Sequence, residues 1–549
     1  MAPLARGFLS RDGCARNQVR SIDGVNESGS QGLPSSSPHR RVWIPATLLL
    51  VAVLAGAAVV IASGRSSGAG ASGGPAADPP PASVLTVGSA PVGHPIPPSF
   101  VGLSIEFPAL EQYAGNNPNA VNPILLTLIR NLAPGQRPVV RVGGDSTDWA
   151  WWPVPGMAKP LGIRYTITQR WLRTTHTIAQ ALNARLILGI DLEANSTKLA
   201  AVEAGKLVGG IGRGSIEALE LGNEPELYAA FGWYTPKGGR PVHGRPPGYD
   251  IASYTRDFSR FAPVLPRLPL AGPATGAPGW VTGLAPFLDA EPRVRVATLH
   301  LYPLQHCGVK PSSPVYPTIP HLLLPSSTQG LAQRVARYVA IAHARGVALR
   351  IDEMNSVSCG ATPSVSQTFA ASLWSVNALF ALARVGVDGV NIHTYPGLKH
   401  ELFRFTDTGH TWKGFVDPEY YGMLMFAQAA PAGSRLLSLA GSAGSDVDAW
   451  ATRAPNGQIR IVLINDSTGR RSVTVRVPAG SGVAALERLQ APSVHAHTGI
   501  TLGGRTFGAA TTTGQLAAPL PNSVTPTSGG YPVSLPATSA AMLTLSPTT

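Results

Sequence analysis

The sequence predicts an α/β chain: a closed (β/α)8 TIM barrel, followed by a C-terminal all-β sandwich and preceded by one transmembrane segment. Three observations predict this. Between residues 100 and 431, eight short β-rich runs alternate with longer amphipathic or apolar stretches, the pattern of parallel strands joined by crossover helices. From residue 432 to 549 the helical period stops, and short alternating or β-branched runs are separated by turn residues such as Pro455-Asn456-Gly457. Near the N-terminus, Val42–Ala62 is apolar and uncharged, about as long as the roughly 20 residues that span a bilayer. The length of 549 residues suits this arrangement, because barrels routinely exceed an average domain of about 150 residues.

Residues 1–41 are polar and irregular and are expected to be a disordered cytoplasmic tail. Arg40 and Arg41 stand just before the apolar run, and the twenty residues after it hold one Arg. The positive-inside rule therefore leaves the N-terminus in the cytoplasm and carries the rest across. A signal-peptide core is about 7–15 residues, shorter than 42–62, so an uncleaved anchor is expected; the alternative is cleavage near Val60 and Ala62, and secretion. Residues 63–83 are Gly, Ala, Ser and Pro in nearly every position, a tether. Gly64-Arg65-Ser66-Ser67-Gly68 matches the serine-hydrolase pattern but lacks the strand and helix that a nucleophile elbow needs. Residues 84–99 hold the short run Val84–Val87, expected to lend the sandwich a strand.

The eight barrel runs are Phe100–Glu106, Val139–Val142, Arg185–Ile190, Ile216–Leu221, Leu268–Ala271, Val294–Leu301, Val347–Asp352 and Val387–His393. Helical stretches include Pro123–Leu132, Gln169–Leu182, Tyr254–Leu265, Leu331–Arg345, Ser366–Ala383 and Pro418–Gln428. A doubly wound open sheet is the rival, but it would carry a Gly-rich phosphate turn after the first run. Here Gly102-Leu103-Ser104 lies inside that run and no G-x-G-x-x-G comes after it. In the tail, Leu436–Leu439, Asp446–Thr452, Gln458–Asn465, Ser472–Val477 and Ala541–Leu545 read as strands.

Net charge is +13, yet only seven of the 43 basic residues are Lys, and no dense basic run is interleaved with aromatics. No nucleic-acid partner is expected; attraction to an acidic glycan stays open. Three cysteines exclude a disulfide scaffold and a Cys-rich zinc module. The spacing of His300, His306, Cys307 and His321 matches no compact finger, so no metal is expected, and no cofactor. Asn195-Ser196-Thr197 and Asn465-Asp466-Ser467 match the glycosylation sequon.

In a barrel the chemistry sits at the C-terminal ends of the strands. Glu220-Leu221-Gly222-Asn223-Glu224-Pro225-Glu226 ends the fourth run, and Arg350-Ile351-Asp352-Glu353-Met354-Asn355-Ser356 ends the seventh. Two opposed carboxylates are what glycoside hydrolysis needs: one protonated for the leaving oxygen, one ionised for the anomeric carbon. Their closeness helps to set those states, because one negative charge raises the pKa of the other. Arg141 and Glu220 lie within strands and are expected to form a buried ion pair.

Asn223-Glu224-Pro225 with Glu353 resembles the large clan of retaining (β/α)8 glycosidases. Arg141-Val142-Gly143-Gly144-Asp145, Leu221-Gly222-Asn223-Glu224-Pro225, Glu353 followed by Asn355-Ser356 and Gly360, and Asp417-Pro418-Glu419-Tyr420-Tyr421 narrow the likeness. In order, from Val84 onward, they resemble glycoside hydrolase family 79, the β-glucuronidase and heparanase group. The resemblance implies a retaining enzyme for β-linked oligo- or polysaccharides or glycoconjugates, with Glu224 as acid/base and Glu353 as nucleophile, about 5 to 5.5 Å apart. It implies that Asn223 bonds the sugar 2-OH, that Tyr302 orients the nucleophile, and that Glu106 holds hydroxyls of the terminal sugar. Asp145 and Tyr395, after the second and eighth runs, are subsite candidates.

Members that bind glucuronic acid place a Tyr and following Gly residues after the nucleophile, and backbone N–H groups there receive the sugar carboxylate. This chain has Ser358-Cys359-Gly360-Ala361. Backbone donors survive that change and the phenol does not, so a neutral β-glycoside is the alternative substrate. Cys307 and Cys359 lie on loops after adjacent strands, on the oxidising side, and are expected to form a disulfide. A non-catalytic extracytoplasmic glycan-binding protein on the same scaffold is the second function class.

Overall fold

The structure, a computed structural model, describes residues 83–547 apart from 410, 479–481 and 519. The expected tail, transmembrane segment and nearly all of the linker lie outside the described residues. Among the described residues no helix is long and apolar enough to cross a membrane.

Eight parallel strands close into a barrel in chain order: Val101–Ile105, Val139–Val142, Arg185–Ile190, Ile216–Leu221, Leu270–Thr275, Val294–Leu301, Ala348–Met354 and Gly389–Thr394. All residues of the first, second and eighth strands are buried, as expected when helices cover one face and side chains fill the interior. The fifth strand starts and ends later than its sequence suggests. Gly272-Pro273 reads as a turn, yet Leu270–Thr275 is entirely buried, and the strand takes up the proline at a register shift between Pro273 and Thr275.

Helix ends follow local chemistry. Asn122 caps Pro123–Leu132, its side chain accepting from the N–H groups of Ile124 and Leu125, with proline at the first position. Thr168 caps Gln169–Leu182 by accepting from Trp171 N–H, and Asn183 ends that helix in the left-handed region at φ 49°.

The all-β part is one ten-stranded hydrogen-bonded sheet, nine strands in a single path and one branching from it, rather than two separate sheets. Its two ends share a core. Leu85, Val87, Ile461, Leu463, Val473, Val475, Val533 and Leu543 point into it with a two-residue period. Strand Ser83–Val92 lies between Arg435–Gly441, paired antiparallel, and Arg471–Arg476, paired parallel. The opposite face, with Trp450, Val462, Ile464, Ala540 and Met542, joins the core of the barrel. Trp450 stacks on Phe380 at 5.5 Å and donates its indole N–H to Asn377 Oδ1 at 2.9 Å. Such a stack adds about 0.5–1.5 kcal/mol beyond area burial. Helix Phe369–Arg384 is accordingly buried on every face from Phe369 to Ala383. Asn465, in one of the two sequons, is fully buried and its amide N–H groups go to the carbonyls of Gly469, Leu535 and Pro536.

Candidate active site

The fourth strand ends in a sharp turn. Gly222 (φ 76°) and Glu224 (φ 44°, ψ 57°) are both left-handed, a conformation that a residue with a side chain holds only under local constraint. The Glu224 N–H supplies one by donating to Ala274 O at 2.9 Å. The Glu224 carboxylate then meets His300 Nδ1 at 3.0 Å. Strand register sets His300 opposite Glu353 on the seventh strand. Tyr302 donates to Glu353 Oε1 at 2.9 Å, and Arg141 Nη1 donates to Glu353 Oε2 at 2.7 Å. One oxygen of Glu224, one of Glu353 and a ring nitrogen of His300 all lie within 4.8 Å of one another.

Arg141 organises the floor of the site. It is fully buried. Its Nε donates to Glu220 Oε2 at 2.7 Å and stands 3.1 Å from Asp352 Oδ2. Its Nη1 also donates to Ser104 Oγ at 3.2 Å, and its Nη2 to Asn223 Oδ1 at 2.7 Å. The expected Arg141–Glu220 pair is thus part of a larger network that fixes Glu353 and Asn223 from one guanidinium. Because Arg can only donate, the Asn223 oxygen must face it, which fixes the orientation of the amide.

These partners decide the charges. Burial opposes ionisation of Glu353, but His393, His300, Arg141 and the Tyr302 hydroxyl outweigh it and hold its pKa well below the carboxylate range. Asp352 is also lowered: burial again opposes, and Arg141 and His300 prevail. Glu220, beside it, is pushed up to about 8 by burial and by the Asp352 charge, against the pull of Arg141. His300 is raised well above its ordinary value; its own burial opposes this, and Glu353, Asp352 and Glu224 overcome it. Glu224, His300 and Glu353 have the spacing to ligate a cation.

Glu106, at the end of the first strand, is only 4% exposed and already has internal donors. Oε1 accepts from Asp145 N–H at 3.1 Å, and Oε2 accepts from Ser146 N–H at 2.8 Å and from the Ser146 hydroxyl. A side chain at Gly144 (φ 89°) would place its Cβ 2.2 Å from Glu106 Oε1, so glycine is required for this approach. His393 Nε2 lies 3.3 Å from Glu106 and its Nδ1 lies 3.9 Å from Glu353 Oε1. In place of a carboxylate open to sugar, the structure gives Glu106 a chain through His393 to Glu353. His400 packs on His393 with ring centroids 5.3 Å apart; burial and that neighbour push its pKa down to about 3, while Glu353 and Glu106 raise that of His393 against its own burial. Tyr395 is buried and raised to about 12, first by burial and then by Glu106.

Cys307 and Cys359 are joined, with Cα atoms 5.7 Å apart. The bridge prolongs a small parallel ladder, Leu304–Gln305 on Val357–Ser358, that continues the sixth and seventh strands past Tyr302 and Glu353. Gly360 lies on this loop.

Sequence reasoning brings Glu224, Glu353, Asn223 and Tyr302 together, and the structure places them in one network. It missed His300 as the partner of Glu224, along with His393, Asp352 and Ser104. Each stands at or near the C-terminal half of a barrel strand, which was the available signal.

With this geometry in hand, similarity to known proteins is informative. The model of the glycosyl hydrolase family 79 C-terminal beta domain matches residues 449–542. A beta-glucuronidase of Aspergillus niger is 25% identical over 484 residues, covering 78% of this chain and 85% of the relative. A beta-glucuronidase of Neurospora crassa is 25% identical over 437 residues, covering 69% and 74%. The chain resembles glycoside hydrolase family 79. The protein is a retaining glycoside hydrolase. Its fold is shared with a 4-O-α-L-rhamnosyl-β-D-glucuronidase of Fusarium oxysporum, at a TM-score of 0.65 and 20% identity, covering 84% of this chain and all of that one.

Beside this site lies a second buried acidic group, which the sequence alone does not reveal. Asp148 Oδ1 accepts from the N–H groups of Leu192 and Glu193, and Oδ2 from Asn223 N–H and the Tyr228 hydroxyl. It thus ties the ends of the third and fourth strands behind Asn223. Next to it, Asp191 and Glu203 are fully buried, and each has one carboxylate oxygen without a hydrogen-bond partner. Burial raises the Glu203 pKa to about 8. A folded pKa above the unfolded value of about 4.3 means that the native state holds the extra proton, so stability falls as pH rises from that value through about 8. Glu203→Gln keeps the shape without the ionisation. It is expected to raise the melting temperature at pH 8.5, by the equivalent of a few kcal/mol, and to change it little at pH 5. Thermal unfolding at both pH values is the measurement; an equally steep pH dependence in the variant would assign the penalty to another group.

Proposed function

We propose that the enzyme hydrolyses β-glucuronides by double displacement, with Glu353 as nucleophile and Glu224 as acid/base. The observation that carries this reading is the approach of the two carboxylates within 4.8 Å, too close for a water between them and suited to direct attack. Glu353, held ionised, bonds to the anomeric carbon as Glu224 gives its proton to the departing oxygen. Water then enters on the side of Glu224, loses a proton to it, and breaks the sugar–Glu353 ester. Asn223, its oxygen fixed by Arg141, offers its amide N–H to the 2-OH. Tyr302 keeps Glu353 aligned. Asp145 and Tyr395 line the sugar subsite, and Glu106 supports it through His393.

The uronate reading rests on the loop after the seventh strand. Cys359, Gly360 and Ala361 are left-handed in succession, at φ 62°, 82° and 64°. Successive amides in such a turn form a concavity that suits an anion, and the N–H groups of Gly360 and Ala361 donate to no protein acceptor among the described residues. Loss of the family's Tyr removes a phenol and leaves these donors. Val42–Ala62 is proposed as a membrane anchor that holds the catalytic domain outside the cytoplasm; the disulfide suits an oxidising compartment.

The test uses the purified full-length chain with p-nitrophenyl β-glucuronide and β-glucoside, and NMR of the first-formed sugar. The β anomer is expected first. The glucuronide is expected to be preferred by about 100-fold or more in kcat/KM, because donors built for a carboxylate are left unpaired by a hydroxymethyl group. The α anomer first would overturn retention, and preference for the glucoside would move the substrate to neutral sugars.

A further inference from the structure

We propose that the Cys307–Cys359 disulfide is a specificity device, holding the 359–361 loop in the left-handed conformation that presents its amides to an anionic group on the sugar. The inference rests on the glucuronide reading and goes beyond it by assigning the selectivity to a cross-link.

Three consecutive left-handed residues are costly when two of them, Cys359 and Ala361, carry a Cβ. Gly360 meets nothing within 4 Å of an added Cβ, so packing around it does not impose the turn. Ala361 is anchored at the far end by burial in the core and Thr362 by the helix that follows, whereas the Cys359 end is held from residues 304–307. His306 N–H donates to Ser358 O at 3.3 Å, the Ser358 hydroxyl to Leu304 O at 3.4 Å, and the His306 ring meets Thr362 Oγ1 at 2.8 Å. These polar contacts lie at a partly exposed edge, where each is worth little against water. The disulfide is the one covalent constraint among them, and it is attached at Cys359, the first of the three left-handed residues.

The placement adds a second point. Tyr302 and Leu304 share one segment, and Glu353 and Val357 share the other. Upstream of the ladder, Tyr302 already fixes Glu353 by a hydrogen bond. Losing the cross-link therefore frees the loop that meets the charged substituent and leaves the nucleophile held by Tyr302 and Arg141. Recognition of the sugar and its chemistry are separable at this joint.

The experiment compares the full chain with Cys307→Ser and with Cys307→Ser/Cys359→Gly on the p-nitrophenyl glucuronide and glucoside. Cys307→Ser is expected to raise KM for the glucuronide about tenfold, with kcat within about twofold and KM for the glucoside unchanged, because an unrestrained loop must be ordered on binding. Adding Cys359→Gly is expected to recover roughly threefold or more of that loss, because glycine adopts the left-handed conformation without a restraint. An unchanged KM for the glucuronide, or an equal rise for both substrates, would overturn the proposal. If Cys307→Ser does not fold, the wild-type enzyme reduced natively and alkylated at both cysteines serves as the same comparison. A wild-type enzyme that ignores the glucuronide defeats the functional reading instead, and the two failures are distinct.

Discussion

Glu353→Ala is expected to lower turnover of an aryl β-glucuronide by about 10⁴-fold or more, and sodium azide is expected to restore part of it as the α-glycosyl azide. The loss is a consequence of the geometry. Glu353 is the carboxylate that His393, His300, Arg141 and Tyr302 keep ionised, and it lies within 4.8 Å of Glu224. Truncation leaves a cavity lined by Arg141 and Tyr302, both donors once directed at Glu353. A small anion fits there and attacks from the same face, giving the opposite anomer. Azide product of α configuration locates the missing group as the nucleophile; a β product, or full activity without azide, would refute the assignment. The truncation also leaves Arg141, His300 and His393 with one less negative neighbour, so a modest loss of stability is expected as well. Unfolding measured alongside separates the two effects, since azide rescue requires a folded site.

Glu224→Ala is expected to act differently with different leaving groups. A dinitrophenyl group departs without help, so the first step survives while the second, which needs a base for water, stalls. The glycosyl–enzyme should accumulate as a burst, and azide, needing no base, should release it as the β-glycosyl azide. Alkyl glucuronides, whose departing oxygen must be protonated, should lose a further factor of about 10²–10⁴. Equal losses for both classes of leaving group would remove Glu224 from the acid role. His300 would be the next candidate, because it is the group within hydrogen-bond distance of Glu224.

Much of the barrel was legible because its strands are short, buried on both faces and bounded by turns. Val139–Val142, Arg185–Ile190, Ile216–Leu221 and Val294–Leu301 have the ends that the sequence suggests. The fifth strand was misplaced because Gly272-Pro273 looks like punctuation when no neighbouring strand is in view. Helix Thr197–Ile211 was missed because its Ala- and Gly-rich sequence shows little periodic contrast, although Ser196 caps it by accepting from Leu199 N–H. In the site, Glu224 and Glu353 could be found from their positions just past the ends of the fourth strand and within the end of the seventh. His300, His393 and Asp352 could not be assigned partners that way. Their roles depend on register between strands, such as His300 opposite Glu353 and His393 opposite Ser104, which pairs residues far apart in the chain. The double use of the β-domain's central strands, one face on their own core and one on the barrel, was hidden for the same reason: an alternating strand shows that it has two faces, not what covers each.

The strand Ser83–Val92 has a consequence for the order in which the molecule can be completed. Its partners, Arg435–Gly441 and Arg471–Arg476, are made only after the whole barrel has been synthesised. Until then Leu85 and Val87 have no core to enter, and the strand's edges offer unpaired amides and carbonyls to any neighbouring chain. Ribosomal synthesis thus leaves the earliest described strand exposed longest. A nascent chain of this architecture depends on fast barrel closure, or on a chaperone that shields that strand, to avoid pairing with its neighbours before its own C-terminal half arrives.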